Sequence, residues 1–273
     1  MKLKISFRGM SDPGMKRRNN EDSYLINEEL SLAIVADGMG GHNAGEVASA
    51  MATEVTNTKF KIMLRDGTVP PVLRDKIPLV ANQLAHAIEL ASLAIYDASL
   101  AAGKSGMGTT ETSVILDGTK LYFAHVGDSR AYMIRGGRLS QVTEDHSFVM
   151  ESVRKGLMTL EQAEASPLKN ILTRALGSPD LPEVDITSCN VSPGDRVILC
   201  TDGLFKCVTE KEMLDIVLKA DDDLDACDDL IEYGNQHGGP DNITVVIGTV
   251  FQVPEDSDIP QRKSKRTKII SSH

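Results

Sequence analysis

Six acidic side chains stand at the ends of predicted strands, close to a glycine or an asparagine. They are Glu21, Asp22, Asp37, Asp128, Asp202 and Asp241. Hairpin turns account for one or two such positions, because Asp-Gly is a common turn sequence. Five separate loci instead predict carboxylates gathered at one end of packed sheets, where their repulsion requires bound cations. Carboxylate oxygens without a histidine or cysteine cluster favour Mg²⁺ or Mn²⁺.

Such a cluster predicts phosphate chemistry. Two of these ions about 3.5 to 4 Å apart lower the pKa of a bridging water and hold the oxygens of a transferring phosphoryl group. Arg17, four residues before Glu21, offers a bidentate guanidinium grip on phosphate. The residues therefore predict hydrolysis of a phosphate ester without a covalent enzyme intermediate.

The stretch from Ala33 to His42 is the centre of this prediction. The apolar run at 33–36 is typical of a buried strand, and it stops at the carboxylate of Asp37. Three of the next four residues are glycine, and His42 follows them. Because glycine has no side chain, backbone carbonyls can closely approach whatever Asp37 binds.

Hydrophobic periodicity predicts the elements that position these acids. Apolar and alternating runs predict strands at 2–7, 23–26, 32–37, 112–116, 120–125, 131–135, 138–143, 183–188, 195–201 and 243–250. Helical spacing predicts helices at 44–64, 77–102, 210–220 and 224–236. The consecutive hairpins between residues 112 and 143 predict one antiparallel sheet.

Two segments depart from this pattern. Residues 148–175 contain polar helical stretches at 149–155 and 160–165, which predict a mobile excursion over the sheet. Residues 252–273 are basic and lack periodicity, which predicts a disordered, solvated tail. The remainder, 1–251, is predicted to form a single domain.

Length and composition exclude several classes of protein. The 273 residues can bury one large core, and no apolar run reaches the roughly 18 to 20 residues of a membrane span. We expect a soluble, cytoplasmic protein, because no secretory signal is evident. The net charge of −10 disfavours nucleic acid and suits divalent cations. Four cysteines without a Cys-x-x-Cys pair predict neither a disulfide framework nor structural zinc.

Eight segments in order resemble the bacterial branch of a known family, the metal-dependent protein serine/threonine phosphatases of the PP2C type (PPM family). They are Arg17-x-x-Asn20-Glu21-Asp22, Asp37-Gly38-Met39-Gly40-Gly41-His42-x-x-Gly45-Glu46, Met107-Gly108-Thr109-Thr110, Val126-Gly127-Asp128-Ser129-Arg130, Thr143-x-Asp145-His146, Thr173-Arg174-Ala175-Leu176-Gly177, Thr201-Asp202-Gly203-Leu204 and Gly239-Pro240-Asp241-Asn242. Each segment alone is a weak signal. All eight in order, between Ser11 and Val250, are a strong one.

The resemblance implies an α+β fold. Its centre would be a β-sandwich of two antiparallel sheets flanked by pairs of α-helices, in the order α-β-β-α. Residues 1–251 would form the phosphatase domain, and about 148–175 would be its small helical flap, which influences substrate access. The cofactors would be two Mn²⁺ or Mg²⁺ ions in a cleft at one end, with a third, weaker ion beside them.

The resemblance also implies how the two core ions are held. Asp37 would bridge both ions. Asp202 and Asp241 would hold the first, and Glu21 with the backbone carbonyl of Gly38 would hold the second.

Three further residues receive roles in the same way. Asp22 would act through metal-bound waters, Asp128 would hold the third ion together with Asp202, and Arg17 would anchor the substrate phosphate. For Asp128 a plainer interpretation also stands, in which it occupies a hairpin turn and pairs with Arg130 or Arg174.

Two residues keep two interpretations each. Eukaryotic members of the family have a histidine, a candidate general acid, directly after the Asp-Gly, whereas this chain has Met39. His42 either takes the acid role or holds the loop together, and a metal-bound water is the alternative acid. Arg174 either positions substrate or braces Asp128.

The resemblance implies a monomeric phosphatase that acts on phosphoserine and phosphothreonine in proteins and opposes a serine/threonine kinase. One alternative is a catalytically silent phosphoprotein-binding regulator, but no ligand position is substituted in this chain. Another is a dinucleotide-binding fold. The glycine turn after Asp37 lacks the Gly-x-Gly-x-x-Gly order that such a fold requires.

Overall fold

The computed structural model describes residues 2–40, 44–101 and 106–254. Its strands are β1 (Lys2–Asp12), β2 (Asp22–Asn27), β3 (Leu32–Met39), β4 (Gly108–Thr109), β5 (Glu111–Asp117), β6 (Lys120–Val126), β7 (Arg130–Arg135), β8 (Arg138–Gln141), β9 (Asp185–Asn190), β10 (Arg196–Cys200) and β11 (Ile243–Val253). Its helices are α1 (Ala44–Asp66), α2 (Leu79–Ala101), α3 (Phe148–Arg154), α4 (Leu160–Glu164), α5 (Asp202–Phe205), α6 (Glu210–Lys219) and α7 (Asp223–Gln236).

These strands form two antiparallel sheets that pack face to face. The first sheet has the order β1-β11-β10-β7-β8, and the second has the order β2-β3-β5-β6-β9, with β4 paired to β3. Helices α1 and α2 cover the second sheet, and α6 and α7 cover the first. The layers follow the order α-β-β-α, which confirms the predicted α+β sandwich.

Strands β3 and β10 are buried on both faces, which explains their continuous apolar sequences. In β3, Ala33 and Val35 face the interior between the sheets, and the alternate positions face α1 and α2. Strand β10 shows the same alternation between the sheet interior and α6 and α7. Each strand brings the acid that follows its apolar run, Asp37 or Asp202, to the same end of the sandwich.

The prediction of one sheet from consecutive hairpins was wrong at a single turn. Strands β5 and β6 pair with each other, and so do β7 and β8, but β6 and β7 belong to different sheets. The turn at 127–129 crosses between the sheets, and β9 takes the free side of β6. Alternation along a strand identifies its buried faces but does not distinguish an in-plane hairpin from a corner.

Several boundaries also differ from the predictions. Strands β1 and β11 pair over their whole lengths, from Lys2 opposite Val253 to Asp12 opposite Ile243. Gln252 and Val253, predicted to begin the tail, therefore belong to the sheet, and residues 255–273 lie outside the described part. Helix α5 occupies a position where the sequence predicted only a turn after the strand.

The segment predicted as a helical excursion, 148–175, contains α3 and α4 between β8 and β9. Its two ends lie side by side on the sandwich. The Phe148 N–H donates to the Ile171 carbonyl at 2.9 Å, and the Thr173 N–H donates to the His146 carbonyl at 2.8 Å. A narrow base therefore joins this segment, called the flap below, to the sheets.

Helix α2 is the one described helix that is long and apolar enough to cross a membrane by length and composition. Its apolar face nevertheless belongs to the protein core. Leu84, Ile88 and Ile95 are fully buried against α1 and the second sheet. Core helices commonly meet the same compositional test, so this helix gives only weak support for a membrane span.

A buried acid links α1 to the sheet that carries Asp37. The carboxyl of Glu111 on β5 accepts hydrogen bonds from Thr56 Oγ1 at 3.0 Å and from Ser113 Oγ at 2.9 Å. Burial raises the pKa of Glu111 to about 8, although these two hydroxyls lower it. The folded protein therefore keeps a proton that an unfolded chain releases near pH 4.5.

We expect Glu111→Gln to flatten the loss of stability that the wild type shows as pH rises from about 5 to about 8. The glutamine keeps its place between two hydroxyls and has no charge to bury, so its advantage grows by roughly 3 kcal/mol over that range. Urea unfolding at pH 5.5 and pH 8 measures this, with Glu54→Gln on the exposed face of α1 as control. An equal difference between Glu111→Gln and wild type at both pH values would contradict it.

Candidate metal centre

The predicted site residues meet in one open cleft of about 900 Å³ at an end of the sandwich. The residues that line it include Arg17, Glu21, Asp37, Gly38, Asp128, Arg174, Asp202 and Asp241. Asp22 lies next to them on β2, and His42 lies outside the described residues. Acids far apart in the sequence are therefore brought together, as predicted from their positions at strand ends.

Asp37 is held at the floor of the cleft by its neighbours in the sheet. Strand register pairs it with Asp22 of β2. Its backbone N–H donates to Thr110 Oγ1 at 2.9 Å, and its carbonyl accepts from the Thr110 N–H at 2.9 Å. Thr109 Oγ1 also donates to the Asp37 carbonyl at 2.8 Å, so the hydroxyls of both threonines fix the backbone of Asp37.

Gly38 allows three segments to meet beside Asp37. A Cβ atom at this position would lie 2.1 Å from the Gly45 carbonyl oxygen and 2.5 Å from the Glu21 carbonyl oxygen, both of them backbone atoms. The Gly38 N–H also donates to the Glu21 carbonyl at 3.0 Å. The absence of a side chain at Gly38 therefore lets the start of α1 and the Glu21 loop pack against the end of β3.

Asn242 joins the loop before β11, which carries Asp241, to the loop before β2, which carries Glu21. Its Oδ1 accepts from the Glu21 N–H at 2.8 Å, and its Nδ2 donates to the carbonyls of Pro13 and Asn19, both at 2.9 Å. Its own carbonyl oxygen would lie 1.9 Å from a Cβ at Gly203 of α5. The amide side chain therefore ties the end of the Asp241 loop to the segment that carries Glu21, and the backbone of Asn242 packs closely against α5.

Asp22 is held by two threonines. Its Oδ2 accepts from Thr201 Oγ1 and from Thr244 Oγ1, each at 2.7 Å. Its Oδ1 is buried and has no hydrogen-bond partner within the described part of the chain. The side chain is therefore fixed in place with one oxygen unsatisfied.

Mutual repulsion and burial dominate the electrostatics of the cluster. Burial raises the pKa of Asp22 to about 7, with smaller contributions from Asp202 and Asp241. Burial and the charge of Asp202 raise the pKa of Asp128 to about 7. Burial and the neighbouring aspartates raise the pKa of Asp37 well above its ordinary range. These acids interact strongly enough that a cation is the natural partner of their ionised forms.

The donor set fits hard divalent cations. Every predicted ligand is an oxygen, and the buried Oδ1 atoms of Asp22 and Asp202 have no partner among the described residues. Among the described residues, there is no group of three or more histidine, cysteine, aspartate or glutamate side chains whose arrangement could hold a metal ion by itself. Mg²⁺ and Mn²⁺ take backbone carbonyls and keep several waters, so a few carboxylates per ion suffice.

Arg17 lies at the edge of the cleft, where the sequence predicted a phosphate anchor. Its Nη2 donates to Asp241 Oδ2 at 2.9 Å, and half of its side chain remains exposed. The guanidinium therefore reaches the predicted ligands and is still accessible from solvent.

The alternative partners predicted for Asp128 are engaged elsewhere. Arg130 makes a bidentate pair with Asp145 at 2.7 and 2.9 Å. Among the described residues, Arg174 pairs with Asp185 at 2.8 Å and with Glu183 at 3.1 Å. Neither arginine forms an ion pair with Asp128 among the described residues, so the interpretation that one of them pairs with Asp128 is wrong. Arg174 lines the cleft and also lies 3.4 Å from His146 Nε2, so its positioning and bracing roles both stay predictions.

His146 holds the turn that carries Asp128, a role that the sequence did not predict. The ring nitrogen Nδ1 of His146 accepts a hydrogen bond from the Gly127 N–H at 3.1 Å, and the backbone N–H of His146 donates to the Gly127 carbonyl at 2.7 Å. Its Nε2 lies 3.0 Å from Asp185 Oδ2. The spacing Asp145-His146 was recognised as a motif, but its partners are set by the turn between the sheets.

Lys206 is a second residue that the sequence analysis missed. Its Nζ forms an ion pair with Asp202 Oδ2 inside the cleft. Burial opposes its charge, but Asp202, Asp128 and Asp241 together raise its pKa. The signal in the sequence is the four-residue spacing from Asp202 to Lys206, which has meaning only once α5 is known to be a helix.

Comparison with known proteins agrees with this geometry. The family model described as Protein phosphatase 2C matches residues 4–243. Protein phosphatase PhpP of Streptococcus pneumoniae is 37% identical over 242 residues, which cover 87% of this chain and 94% of that protein. The crystal structure of the Mycobacterium tuberculosis serine/threonine phosphatase PstP/Ppp superposes with a TM-score of 0.78 at 34% identity, over 91% of this chain and 99% of that one.

A further structure bears on the cofactor. The catalytic domain of the phosphatase PstP in complex with two manganese ions matches with a TM-score of 0.76 at 34% identity, over 92% of this chain and all of that one. The resemblance seen in the eight sequence segments is thereby confirmed over most of the chain. On the match of sequence and of fold, this chain belongs to the protein phosphatase 2C family.

Proposed function

We propose that this protein is a metal-dependent phosphatase that hydrolyses phosphoserine and phosphothreonine in proteins. The observation that carries the proposal is the convergence of Glu21, Asp37, Asp202 and Asp241 on one open cleft. Membership of the family and the serine/threonine phosphatase names of its relatives support it. The cofactor that we propose is a pair of Mn²⁺ or Mg²⁺ ions, by analogy with the two manganese ions of PstP.

The residues divide between the two ions as the family resemblance implies. Asp37 would contact both, Asp202 and Asp241 the first, and Glu21 with the Gly38 carbonyl the second. The ions, when bound, would lower the pKa of an attacking water and neutralise charge on the phosphoryl oxygens. The unsatisfied Oδ1 of Asp202 supports its role as a direct ligand.

Asp22 would act from behind the ligands. Two threonine hydroxyls fix its Oδ2 and leave its buried Oδ1 as the oxygen able to accept hydrogen bonds from ordered water. A carboxylate held in this way can orient water molecules around the ions without binding an ion directly.

Arg17 would bind the substrate phosphate. Its guanidinium already lies beside Asp241, so a phosphate near the ions would come within its reach. A planar guanidinium matches two phosphate oxygens at once, which orients the ester for attack. Arg174, which also lines the cleft and is held by Asp185 and Glu183, would position the substrate.

The openness of the cleft supports a protein as substrate. The flap contributes Asn170 and Leu172 to the lining, so a folded partner would meet the flap while its phosphoresidue entered the cleft. The acid that protonates the leaving oxygen stays a prediction, with His42 or a water as the candidates.

The chemistry of the substrate indicates which class of enzyme produces it. Phosphoserine and phosphothreonine in proteins are made by protein kinases, so we propose a serine/threonine kinase as the opposing enzyme. We also propose a cytoplasmic, monomeric protein. The acidic composition supports the further proposal that it does not bind nucleic acid. The alternative of a catalytically silent regulator has no observation in its favour, because no predicted ligand is substituted.

Loss of the bridging acid tests the function directly. We expect Mn²⁺-dependent release of phosphate from a phosphothreonine peptide, no turnover in excess chelator, and a fall of at least about 100-fold in kcat for Asp37→Asn, which would remove the ligand shared by both ions. Asp229→Asn on the exposed face of α7 is the matched control. Well-folded wild type without metal-stimulated turnover, or near-normal activity of Asp37→Asn, would contradict the proposal.

Alanine substitution of two adjacent arginines, Arg17 and Arg18, tests whether Arg17 binds the substrate phosphate. Arg17→Ala should lower kcat/KM for the same peptide by about 10- to 100-fold at saturating Mn²⁺, since a charge-assisted hydrogen bond to phosphate is worth roughly 1.5 to 3 kcal/mol. Arg18→Ala should stay within about twofold of wild type, because Arg18 is exposed and lies outside the lining of the cleft. Equal losses in both variants would argue against a specific role for Arg17.

A further inference from the structure

Lys206 is fixed over Asp202 by the shape of α5. This helix is a single turn, and the Lys206 N–H that ends it donates to the Asp202 carbonyl at 3.0 Å. The four-residue spacing places the two side chains on the same face, where Nζ pairs with Oδ2. The lysine side chain is 29% exposed and lines the cleft, so its ammonium belongs to the site and not to the outer surface.

The two carboxylate oxygens of Asp202 have different surroundings. Oδ1 is buried and lacks a hydrogen-bond partner among the described residues, whereas Oδ2 is committed to Lys206. A carboxylate that held a core ion and a third ion together would offer one oxygen to each. Here Oδ1 is the oxygen without a partner in the described part of the chain, and the ammonium of Lys206 already supplies the positive charge beside Oδ2.

Asp128 is the other acid that the family resemblance assigned to a third ion. The charges of Asp202 and Lys206 both act on it, the first raising its pKa beyond the effect of burial and the second lowering it. Asp128, Asp202 and Lys206 also line the same cleft. The ammonium therefore lies within electrostatic reach of both acids.

We propose that the ammonium of Lys206 replaces the third divalent ion beside Asp202 and Asp128, so that this chain binds two metal ions and not three. The inference rests on the proposed function, because it takes Asp202 as a ligand of a core ion. A cation attached to the chain is present at every metal concentration. A hydrated ion held by two carboxylates binds only weakly and would have to displace it.

Counting bound ions tests the proposal without relying on turnover. The metal-free protein is titrated with Mn²⁺ alone, and free Mn²⁺ is read from its solution EPR signal. The variants are Lys206→Met, which keeps the apolar stem without charge; Lys206→Arg, which keeps the charge; and Lys206→Met combined with Asp128→Asn. Lys211→Met, at an exposed lysine on α6, controls for general loss of positive charge. Thermal unfolding checks that each variant is folded.

The expected stoichiometry is two ions for wild type, Lys206→Arg and Lys211→Met, three for Lys206→Met, and two again for the double variant. Three ions on wild type, or two on Lys206→Met, would overturn the inference and leave the proposed function intact. Failure of wild type to bind Mn²⁺ would overturn the proposed function as well, so the two failures are distinguishable.

Discussion

Repulsion among buried carboxylates is the constraint on which this structure depends. Asp22, Asp37, Asp128 and Asp202 lie close enough, and deep enough, that each has a pKa raised above its ordinary range. A fold that gathers like charges in this way loses stability unless cations balance them. The same arrangement is what a pair of divalent ions needs, so the cost to folding and the capacity for catalysis have one origin.

Neutral hydrogen bonds hold the acids in place without cancelling their charge. Thr110 fixes the backbone of Asp37, Thr201 and Thr244 fix one oxygen of Asp22, and Asn242 joins the Glu21 loop to the start of β11. Such partners orient carboxylates and leave their other oxygens available, which a set of salt bridges would not do. Lys206 and Arg17 are the exceptions, and each contacts only one oxygen of its acid.

The sequence predicted the parts of the fold that depend on local periodicity. The apolar runs of β3 and β10, and the spacing of α1 and α2, identified elements that the structure confirms, and their terminal acids identified the site. The turn at Gly127 was misinterpreted because a hairpin and a corner between sheets have the same local sequence. The partners of Arg174 could not be predicted, since Asp185 reaches it only through the pairing of β9 with β6.

Anomalous diffraction from Mn²⁺-soaked crystals would show whether the carboxylate of Asp37 is shared by two metal ions. We expect two manganese peaks about 3.5 to 4 Å apart on either side of Asp37, one beside Asp202 and Asp241 and the other beside Glu21 and the Gly38 carbonyl. A single peak, or manganese bound away from Asp37 in a well-ordered cleft, would contradict it.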